Sequence, residues 1–397
     1  MSDLMPLEEA LDRLLSRIPL PSATEEVPLG EALGRVLAEP VSAATDVPPA
    51  DNSSMDGYAL AGRDFRPGEP MPISQRIAAG CAPEPLRAGT AARIFTGAEI
   101  PPGADAVVMQ EQAEAEGGQV RILAEIKPGQ NIRSRGQDMA AGTPLLEAGV
   151  MLRPQTLGVL ASTGIERVRV YRRPSVALLS TGDELVQPGQ ALGPGQIYDA
   201  NRFLLTGLLQ QAGVVDIRPM HVPDAAEPTA QALREAARAD LILSSGGVSV
   251  GEEDHVKAQV EALGELNIWR IRVKPGKPFA AGRVGDTPFI GLPGNPASSL
   301  VTFCLLALPA LHRLQGRQVQ PPWQLQLPAG FSREQPQTRD EFLRVRVENG
   351  RLLPQGNQSS GVLSNTLEAS GLARVPAETS VAEGQLLTFM PFSSLCG

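Results

Sequence analysis

The spacing of apolar positions changes several times along the chain, and each change marks a different type of structure. In LEEALDRLLSRI at 7–18, leucine and isoleucine recur at helical spacing, which predicts an amphipathic helix. LGEALGRVLAE at 29–39 follows a proline-rich break and predicts a second, short helix. From 47 to 144, short apolar runs alternate with Gly and Pro, which is typical of strands joined by tight turns. This long segment therefore predicts a β-rich domain.

From residue 173 the pattern becomes regular, because apolar runs of strand length alternate with amphipathic stretches of helix length. The runs SVALLS, VVDIRPMHV, DLILSS, NIWRIRV and PFIGL predict strands. The stretches NRFLLTGLLQQAG, EPTAQALREAARA, DHVKAQVEALG and PASSLVTFCLLALPALHRLQG predict helices, the first of them ending at Gly213. This β-α-β alternation predicts a doubly wound, mainly parallel sheet with helices on both faces.

The remaining segments complete a multidomain α/β plus β plan. A helical stretch at 154–162 leads into the strand RVRVY, and strands return after residue 321. Asn349-Gly350 stands between two alternating runs, which is a strong β-hairpin signal. We predict four parts with these boundaries: an N-terminal helix and linking domain at 1–46 and 145–172, a β-rich insertion domain at 47–144, an α/β domain at 173–318, and a C-terminal β domain at 319–397.

Composition excludes several classes of protein. The 397 residues carry a formal net charge of −9, which argues against general binding to nucleic acids or membrane surfaces. The three cysteines are too widely spaced for a disulfide framework or a zinc site. The N-terminal residues lack a signal-peptide pattern, and the apolar run at 300–311 is too short to span a bilayer. We therefore expect a soluble, cytoplasmic protein, in which His312 has a structural role at a helix end.

Three loops follow strands of the predicted α/β sheet, at the edge where doubly wound sheets bind ligands. They are STGDELVQPG, SSGGVSVGEED and GLPGNPASS. In the second loop, Gly246 and Gly247 let backbone N–H groups approach a ligand closely, and Ser245 and Ser249 can donate hydrogen bonds to phosphate oxygens. The same residues also suit an ordinary turn with a helix cap, so both interpretations stay open from this loop alone.

Two further stretches suggest capture of an anion. Asn295 and the serines after it can expose amides at a helix start, and Pro293 and Pro296 stiffen the approach. Lys274 and Lys277 lie on one short turn, VKPGKPF, in an otherwise acidic protein. The alternatives are a plain strand-turn-helix and ordinary solvated lysines.

Acidic side chains follow the same strand ends. Asp183 and Glu184 come after the first strand, Asp224 comes after the second, and Asp254 ends the glycine-rich loop. Each alone suits a helix cap or a turn. Together on one rim they suit a divalent cation held through carboxylates and water, as Mg²⁺ prefers. Such an ion would bridge phosphate oxygens and carboxylates that otherwise repel each other.

Several longer stretches together resemble the molybdopterin molybdenumtransferase family, which includes the C-terminal domain of gephyrin. They run in family order over most of the chain: PPADNSSMDGYAL, RIFTGAEIPPGADAVVMQE, NIRSRGQDM, VALLSTGDELVQPGQALGPGQIYDANRFLL, DLILSSGGVSVGEEDHVK, RVKPGKPFAAG and GLPGNPASS. The resemblance implies an enzyme that takes molybdate and adenylylated molybdopterin, cleaves the adenylate with the help of Mg²⁺, and yields molybdenum cofactor and AMP. It also implies an α/β domain like that of molybdopterin adenylyltransferases.

The resemblance assigns roles to acidic and hydroxyl side chains. Asp56, Thr96 and Asp138 match active-site positions contributed by the β-rich domain. Glu184 and Asp224 match acidic, catalytic positions of the α/β domain. The cation ligands implied by the resemblance are Glu184, Asp224 and Asp254.

The substrate-binding positions are implied in the same way. Lys274 and Lys277 match the basic turn of the family, and Pro293 and Pro296 match its proline-rich loop. Ser134 departs from the pattern, because many relatives have a basic residue there. We therefore assign no substrate charge to that position, although Arg133 and Arg135 remain on either side of it.

For partners, the resemblance implies an elongated homodimer in which the β-rich insertion of one subunit faces the α/β domain of the other. It also implies a molybdopterin adenylyltransferase and maturation factors of molybdoenzymes. Two other functions stay open at this point: a scaffold of gephyrin type, and a molybdopterin adenylyltransferase, which would consume ATP. Tungstate is also open as a substrate, since it is nearly isosteric with molybdate.

Overall fold

The computed structural model describes residues 4–248 and 255–395, and the elements below belong to this part of the chain. A π-helical turn, Phe303–Ala307, joins the sixth helix to the seventh, so that 296–314 forms one long helix, as predicted. The helices are α1 (Leu7–Arg17), α2 (Pro154–Ser162), α3 (Ala200–Gln211), α4 (Ala226–Ala236), α5 (His255–Leu263), α6 (Pro296–Thr302), α7 (Leu308–Leu314) and α8 (Phe392–Leu395).

The segment at 47–144 is rich in strands. The strands of the first part of the chain are β1 (Thr24–Pro28), β2 (Val41–Ser42), β3 (Asn52–Ser53), β4 (Gly57–Leu60), β5 (Pro70–Ile77), β6 (Ala91–Ile94), β7 (Ala106–Met109), β8 (Ala113–Glu116), β9 (Gln119–Ile122), β10 (Ile132–Arg133), β11 (Pro144–Leu146) and β12 (Arg167–Tyr171). The larger sheet of this segment has the order β7-β4-β6-β5-β9-β8, while β1 pairs with β12, β2 with β11 and β3 with β10.

The helix predicted at 29–39 is wrong. The chain makes a short 3₁₀ turn at Leu29–Glu31, and Val36 and Leu37 then form isolated bridges to other segments. Gly34 explains the break, because its φ of +72° lies in the left-handed region and ends helical winding. The apolar spacing in this stretch reflects burial of Ala32, Val36 and Leu37 in the linking region.

The next segment forms the predicted doubly wound sheet. The strands of this segment are β13 (Ser175–Thr181), β14 (Leu185–Val186), β15 (Ile197–Tyr198), β16 (Asp216–Val222), β17 (Leu241–Ser245), β18 (Gly264–Trp269), β19 (Val273–Lys274), β20 (Ala280–Val284) and β21 (Thr287–Leu292). The order of the doubly wound sheet is β16-β13-β17-β21-β20-β18, and β16, β13, β17 and β21 are parallel. Strand β13 is buried along its whole length, as expected for a parallel strand covered on both faces.

Helices cover both faces of this sheet, which confirms the predicted class. On one face, Leu205 of α3 packs with Val176 and Leu178 of β13. On the other, Leu233 of α4 and Val260 of α5 pack with the opposite side of the same sheet. The sheet is parallel at its centre, and β20 and β18 add antiparallel strands at one edge.

One predicted strand divides into two. NIWRIRV was expected to form a single strand, but β18 ends at Trp269 and β19 begins at Val273. Between them Arg270 has a φ of +66°, so the backbone turns away from the sheet there. Strand β19 then pairs in parallel with β23 (Asp340–Glu348) of the C-terminal sheet.

The C-terminal segment forms a sheet of order β19-β23-β25-β26-β22, with β24 paired to β23. Asn349 (φ +50°) and Gly350 (φ +73°) form the predicted two-residue hairpin turn between β23 and β24. The strands contributed by this segment are β22 (Leu325–Pro328), β23 (Asp340–Glu348), β24 (Arg351–Pro354), β25 (Gly371–Val375) and β26 (Leu386–Pro391).

The largest hydrophobic core joins parts that lie far apart in sequence. Leu7 and Leu14 of α1 pack with Val301 of α6 and with Phe342 and Met390 of the C-terminal sheet. The apolar face of α1 therefore packs on the α/β core, although the predicted boundaries group this helix with the linking domain. A separate small core holds the linking strands and α2 together.

The long helix 296–314 has the length and hydropathy of a membrane span, but 83% of its most apolar window is buried inside the protein. Among the described residues it is the one helix that passes this test. Such burial is typical of the core helix of a soluble protein. His312 lies in the last turn of α7, partly buried, as expected. Burial lowers the pKa of its imidazole to about 3, and nearby Arg317 acts in the same direction.

Candidate active site

A cavity of about 670 Å³ lies beyond the carboxyl ends of β13, β17 and β21. These parallel strands end at Thr181, Ser245 and Leu292, so the loops that follow them converge at one edge of the sheet. This is the place where doubly wound sheets bind ligands, and the volume suits a small-molecule substrate.

The cavity brings together most of the residues that the sequence singled out in the α/β domain. Ser249 and Asp254 lie outside the described residues, so their predicted roles have no structural counterpart here. The predicted residues that line the cavity are Glu184, Asp224, Ser245, Gly246, Gly247, Lys274, Lys277, Pro293, Asn295 and Pro296.

Neighbouring side chains lie close to the backbone of the glycine-rich loop. Gly246 and Gly247 have φ values of +88° and +68°. A Cβ on Gly246 would lie 2.9 Å from Thr181 Oγ1, and one on Gly247 would lie 2.3 Å from a methyl group of Val256. Side chains are therefore excluded by both conformation and space. The amide of Gly246 donates to the carbonyl oxygen of Leu292 at 3.0 Å, so this N–H positions the loop instead of awaiting a ligand.

The acidic rim is organised by a reciprocal contact between two loops. The amide of Asp183 donates to Asp224 Oδ2 at 3.3 Å, and the amide of Asp224 donates to Asp183 Oδ1 at 3.2 Å. Glu184 folds back over Gly182, where a Cβ would meet its carboxylate at 2.3 Å. Glu184 and Asp224 thus reach the same cavity from neighbouring loops, as the sequence predicted.

Two lining residues were missed by the sequence interpretation. Asn201 is buried, and its Nδ2 donates to Ser245 Oγ at 2.8 Å and to the carbonyl oxygen of Gly294 at 2.6 Å. It therefore ties the start of α3 to the end of β17 and to the loop that follows β21. Asp199 is also buried and caps α3 by accepting a hydrogen bond from the amide of Arg202. The available signal was a pair of polar residues, Asp-Ala-Asn, at a helix start.

The C-terminal domain closes one side of the cavity, which the sequence did not indicate. Its lining residues include Arg339, Ser359 and Ser360. The amide of Ala297 donates to the carbonyl oxygen of Ser360 at 3.0 Å, and Asn295 Nδ2 donates to Ser360 Oγ at 3.1 Å. The predicted exposed amides at this helix start are therefore partly used to hold the C-terminal loop.

A buried guanidinium stands behind that loop. Arg344 is fully buried and donates to the carbonyl oxygen of Ser359 at 3.0 Å and to that of Asn357 at 3.4 Å. Burial lowers the pKa of Arg344, although a guanidinium remains charged at neutral pH. The positive charge and the hydrogen bonds both act on the loop that lines the cavity.

Asp56, Thr96 and Asp138 lie in the β-rich domain and are not among the described residues that line the cavity. Asp56 Oδ1 accepts hydrogen bonds from Thr96 N and Thr96 Oγ1, both at 2.8 Å. These bonds lower the pKa of Asp56, and the nearby Arg93 adds to the effect. Asp138 is exposed, and its amide donates to the carbonyl oxygen of Val47 at 2.9 Å. The structure therefore joins Asp56 to Thr96 but does not bring either to the cavity of its own chain.

The cavity combines groups suited to a large anion with groups suited to a cation. Lys274, Lys277 and Arg339 supply positive charge, and the serines supply hydroxyl donors. Among the described residues, three or more Asp, Glu, His or Cys side chains do not converge to form a complete metal site. Glu184 and Asp224 nevertheless fit Mg²⁺, because that ion is commonly held by one or two carboxylates together with substrate phosphates.

Comparison with known families covers most of the chain. Residues 5–164 match the family described as MoeA N-terminal region (domain I and II). Residues 177–313, which contain most of the cavity, match the probable molybdopterin binding domain. Residues 326–392 match the MoeA C-terminal region (domain IV).

Individual relatives show the same similarity over most or all of their length. A molybdopterin molybdenumtransferase of Haemophilus influenzae is 39% identical over 404 residues, covering 99% of this chain and all of the relative. One of Nostoc is 41% identical over 314 residues, covering 76% of this chain and 72% of the relative. The crystal structure of the molybdopterin biosynthesis moeA protein from Pyrococcus horikoshii superposes with a TM-score of 0.84 at 33% identity, covering 98% of this chain and 99% of that structure.

Proposed function

The chain belongs to the molybdopterin molybdenumtransferase family, and on this premise we propose that it inserts molybdenum from molybdate into adenylylated molybdopterin and releases AMP. The observation that carries the proposal is the cavity at the strand ends. It joins lysines, an arginine and serines with carboxylates, among them Glu184 and Asp224, and it lies mainly in the segment that matches a molybdopterin-binding domain.

The cationic side of the cavity would hold the substrate phosphates. Lys274 and Lys277 come from one turn, and Arg339 faces them from the C-terminal domain. Burial lowers the pKa of Lys274, and the neighbouring Arg339 and Arg333 act in the same direction. A polyanion is therefore the ligand class that relieves the charge repulsion among these groups.

The carboxylate side would serve the cleavage step. An oxygen nucleophile attacks one phosphorus of the phosphoanhydride, and the bond from that phosphorus to the bridging oxygen breaks. AMP and the pterin phosphate then separate. The proton of the attacking water passes to a carboxylate of this rim, Glu184 or Asp224, which also orients the water. The hydrogen bonds between Asp183 and Asp224 hold the side chain of Asp224 in place.

Mg²⁺ belongs to the proposal as a cation held by Glu184 and Asp224 together with substrate phosphates. When bound, it would neutralise phosphate charge during cleavage of the anhydride. Molybdate enters as the second substrate and, as an oxyanion, needs hydrogen-bond donors such as the serine hydroxyls and lysine ammonium groups of the cavity.

The position of Asp56 and Thr96 supports a homodimer. They form a hydrogen-bonded pair beside the exposed side chain of Met55, outside the cavity of their own chain. We propose that this pair completes the cavity of a second copy, together with Asp138 of the same β-rich domain. Each active site would then draw residues from both subunits.

We place the reaction in the cytoplasm, because the exposed Cys81 is a free thiol and reducing compartments keep thiols in that state. A molybdopterin adenylyltransferase would supply the adenylylated substrate. Maturation factors of molybdoenzymes would take the product.

The direct test is an assay of AMP release. Purified protein is incubated with adenylylated molybdopterin, molybdate and Mg²⁺, and AMP is quantified by chromatography. Wild-type protein should release AMP, while Asp224→Asn and a reaction without Mg²⁺ should be slower by about 100-fold or more. A wild-type protein that releases no AMP refutes the proposed function.

A mixing experiment tests the shared site. Asp56→Asn and Asp224→Asn subunits are each inactive in this scheme, because each removes one part of every site. If subunits exchange at random, half of the dimers are mixed, and one of the two sites in each mixed dimer is intact. Activity should then recover to about a quarter of the wild-type value. No recovery after demonstrated subunit exchange would show that Asp56 acts within its own chain.

A further inference from the structure

Lys274 lines the cavity, and the short strand that contains it is hydrogen-bonded to the sheet of the C-terminal domain. Strand β19 pairs in parallel with β23, so that Val273 lies opposite Asp340 and Lys274 lies opposite Glu341. The position of Lys274 in the cavity is therefore set by a strand that begins more than sixty residues later in the sequence.

The ammonium group of Lys274 is held by side chains from the same region. Its Nζ lies 3.1 Å from Glu341 Oε1 and donates to Gln337 Oε1, also at 3.1 Å. A lysine ammonium has three N–H donors. Within the described residues, these two contacts leave one donor for an oxygen of a bound anion.

Glu341 is an unusual partner for a substrate-binding lysine, because its side chain is only 6% exposed. Its other oxygen, Oε2, pairs with Arg333. A carboxylate buried to this degree is stable only when it is well paired, since it has lost most of its hydration. Its ionic contacts with Lys274 and Arg333 are thus screened far less than a surface pair would be.

Among the described residues, the charges that lower the pKa of Lys274 come from arginines. Arg333 and Arg339 face it from the C-terminal domain, and Lys277 lies on the same turn of the cavity wall. Burial, together with the two arginines, lowers the pKa of Lys274. Glu341 is the carboxylate that opposes this tendency at hydrogen-bond distance. Without it, the amine would more readily lose its proton and with it its attraction for an anion.

We propose that Glu341 is a positioning residue for the reaction: its ion pair with Lys274 holds the ammonium at the cavity wall, with one N–H directed to the phosphate oxygens of the substrate. This inference rests on the proposed function, because it assigns Lys274 to the binding of a polyanionic substrate. It makes the C-terminal domain a working part of the active site.

The test compares the affinity of single variants for inorganic pyrophosphate, measured by calorimetry between pH 6.5 and 9.5. Pyrophosphate reports anion binding without requiring catalysis. The ratio of each variant's affinity to that of wild type removes the titration of the probe itself. Glu341→Gln keeps the shape of the side chain and removes its charge. Affinity should fall about threefold at pH 7 and about tenfold or more at pH 9, because the amine loses its proton at lower pH.

Arg333→Gln separates positioning from mere structural support. This variant removes the other partner of Glu341, so it disturbs the packing of the same buried carboxylate. It also removes a positive charge that disfavours the protonated form of Lys274. The alkaline loss of pyrophosphate affinity should therefore move to higher pH, opposite to the direction expected for Glu341→Gln. If the two substitutions acted only by destabilising the fold, both would weaken pyrophosphate binding with the same dependence on pH.

Glu348→Gln is the matched control. Glu348 lies on the same strand β23, and its pair with Arg346 is exposed on both sides. Its pyrophosphate titration should overlay that of wild type at every pH. Three outcomes would each overturn the inference. The pH profile of Glu341→Gln could match that of wild type, the profiles of Glu341→Gln and Arg333→Gln could shift in the same direction, or wild type could fail to bind pyrophosphate.

The same variants, assayed for AMP release, connect the inference to the reaction. Glu341→Gln should raise the KM for adenylylated molybdopterin at alkaline pH and change kcat by less than about twofold. If wild type binds pyrophosphate but releases no AMP, the proposed function fails while the pairing of Glu341 with Lys274 is still decided by the binding data.

Discussion

Replacing Asn201 by aspartate tests whether one buried amide holds the cavity in shape. Asn201 Nδ2 donates to Ser245 Oγ at 2.8 Å and to the carbonyl oxygen of Gly294 at 2.6 Å. Aspartate has nearly the same size and shape, but its carboxylate has no N–H to donate. An oxygen would then face the Gly294 carbonyl oxygen at the same short distance, and both partners would lose a donor.

The expected loss of stability follows from these contacts. Each hydrogen bond contributes about 1 kcal/mol net, and leaving a buried acceptor without a partner costs a further 1–3 kcal/mol or so. Since Asn201 is only 8% exposed, water from the cavity can replace the missing donor only in part. We expect Asn201→Asp to lower the free energy of unfolding of the α/β part by about 2–4 kcal/mol at pH 7.

Urea unfolding followed by tryptophan fluorescence measures this change, because the chain contains tryptophans at 269 and 323. The deficit should shrink as the pH falls. The pKa of the new carboxyl group is raised by burial, and its protonated form can donate a hydrogen bond again. Asn357→Asp is the control, since Asn357 is exposed and its Oδ1 accepts from the amide of Ser359, a role that a carboxylate also fills. If the two variants were equally stable, the bridging role of Asn201 would be refuted.

Three further predictions address the β-rich domain, the long helix and the glycine-rich loop. Asp56→Asn should slow AMP release about 100-fold or more without changing the melting temperature, because the carboxylate is only partly buried and its shape is kept; a wild-type rate would contradict its catalytic role. His312 has a pKa of about 3 in the folded protein against 6.5 ordinarily. It therefore stabilises the fold above pH 6.5, and this contribution, at most about 5 kcal/mol, is lost as the pH falls towards 3. His312→Gln should show a smaller difference between its urea midpoints at pH 7 and pH 4 than wild type does, and an unchanged difference would argue against the effect. Gly247→Ala should destabilise more than Gly195→Ala. Both glycines have positive φ, which costs about 1 kcal/mol for alanine, but only the first also meets Val256; equal melting temperatures would contradict the steric argument.

The α/β architecture could be predicted because its signals are local. Each buried strand of the parallel sheet is an unbroken apolar run, and each helix has its own apolar stripe. Asn349-Gly350 likewise encodes its turn within two residues, since both adopt positive φ. The loops at the strand ends follow from this architecture, and so do the contributions of Glu184 and Asp224 to one rim.

The rest depended on contacts between distant segments. Asn201 looks like an ordinary polar residue near a helix start, and only the fold shows that it meets Gly294. Strand β19 contains two residues, too few to carry a periodic signal, and its partner β23 begins at Asp340. The contribution of Ser360 to the cavity was missed for the same reason, because its contact with Asn295 joins residues 65 positions apart in the sequence.

Some expectations failed for identifiable physical reasons. The apolar spacing at 29–39 was correct for burial but not for helix, because Gly34 turns the chain. The amide of Gly246, expected to face an anion, is used by Leu292. Apolar periodicity records which positions are buried, while hydrogen-bond partners are decided by the whole fold.

The pairing of β19 with β23 limits how this protein can be divided and recombined. A chimera that exchanged everything after residue 319 for the same segment of a relative would also exchange the strand that aligns Lys274. Such a graft preserves the register only if the incoming segment presents an equivalent of Glu341 at the same place. The tail and the basic turn are thus expected to vary together among functional hybrids, even though each belongs to a different segment of the chain.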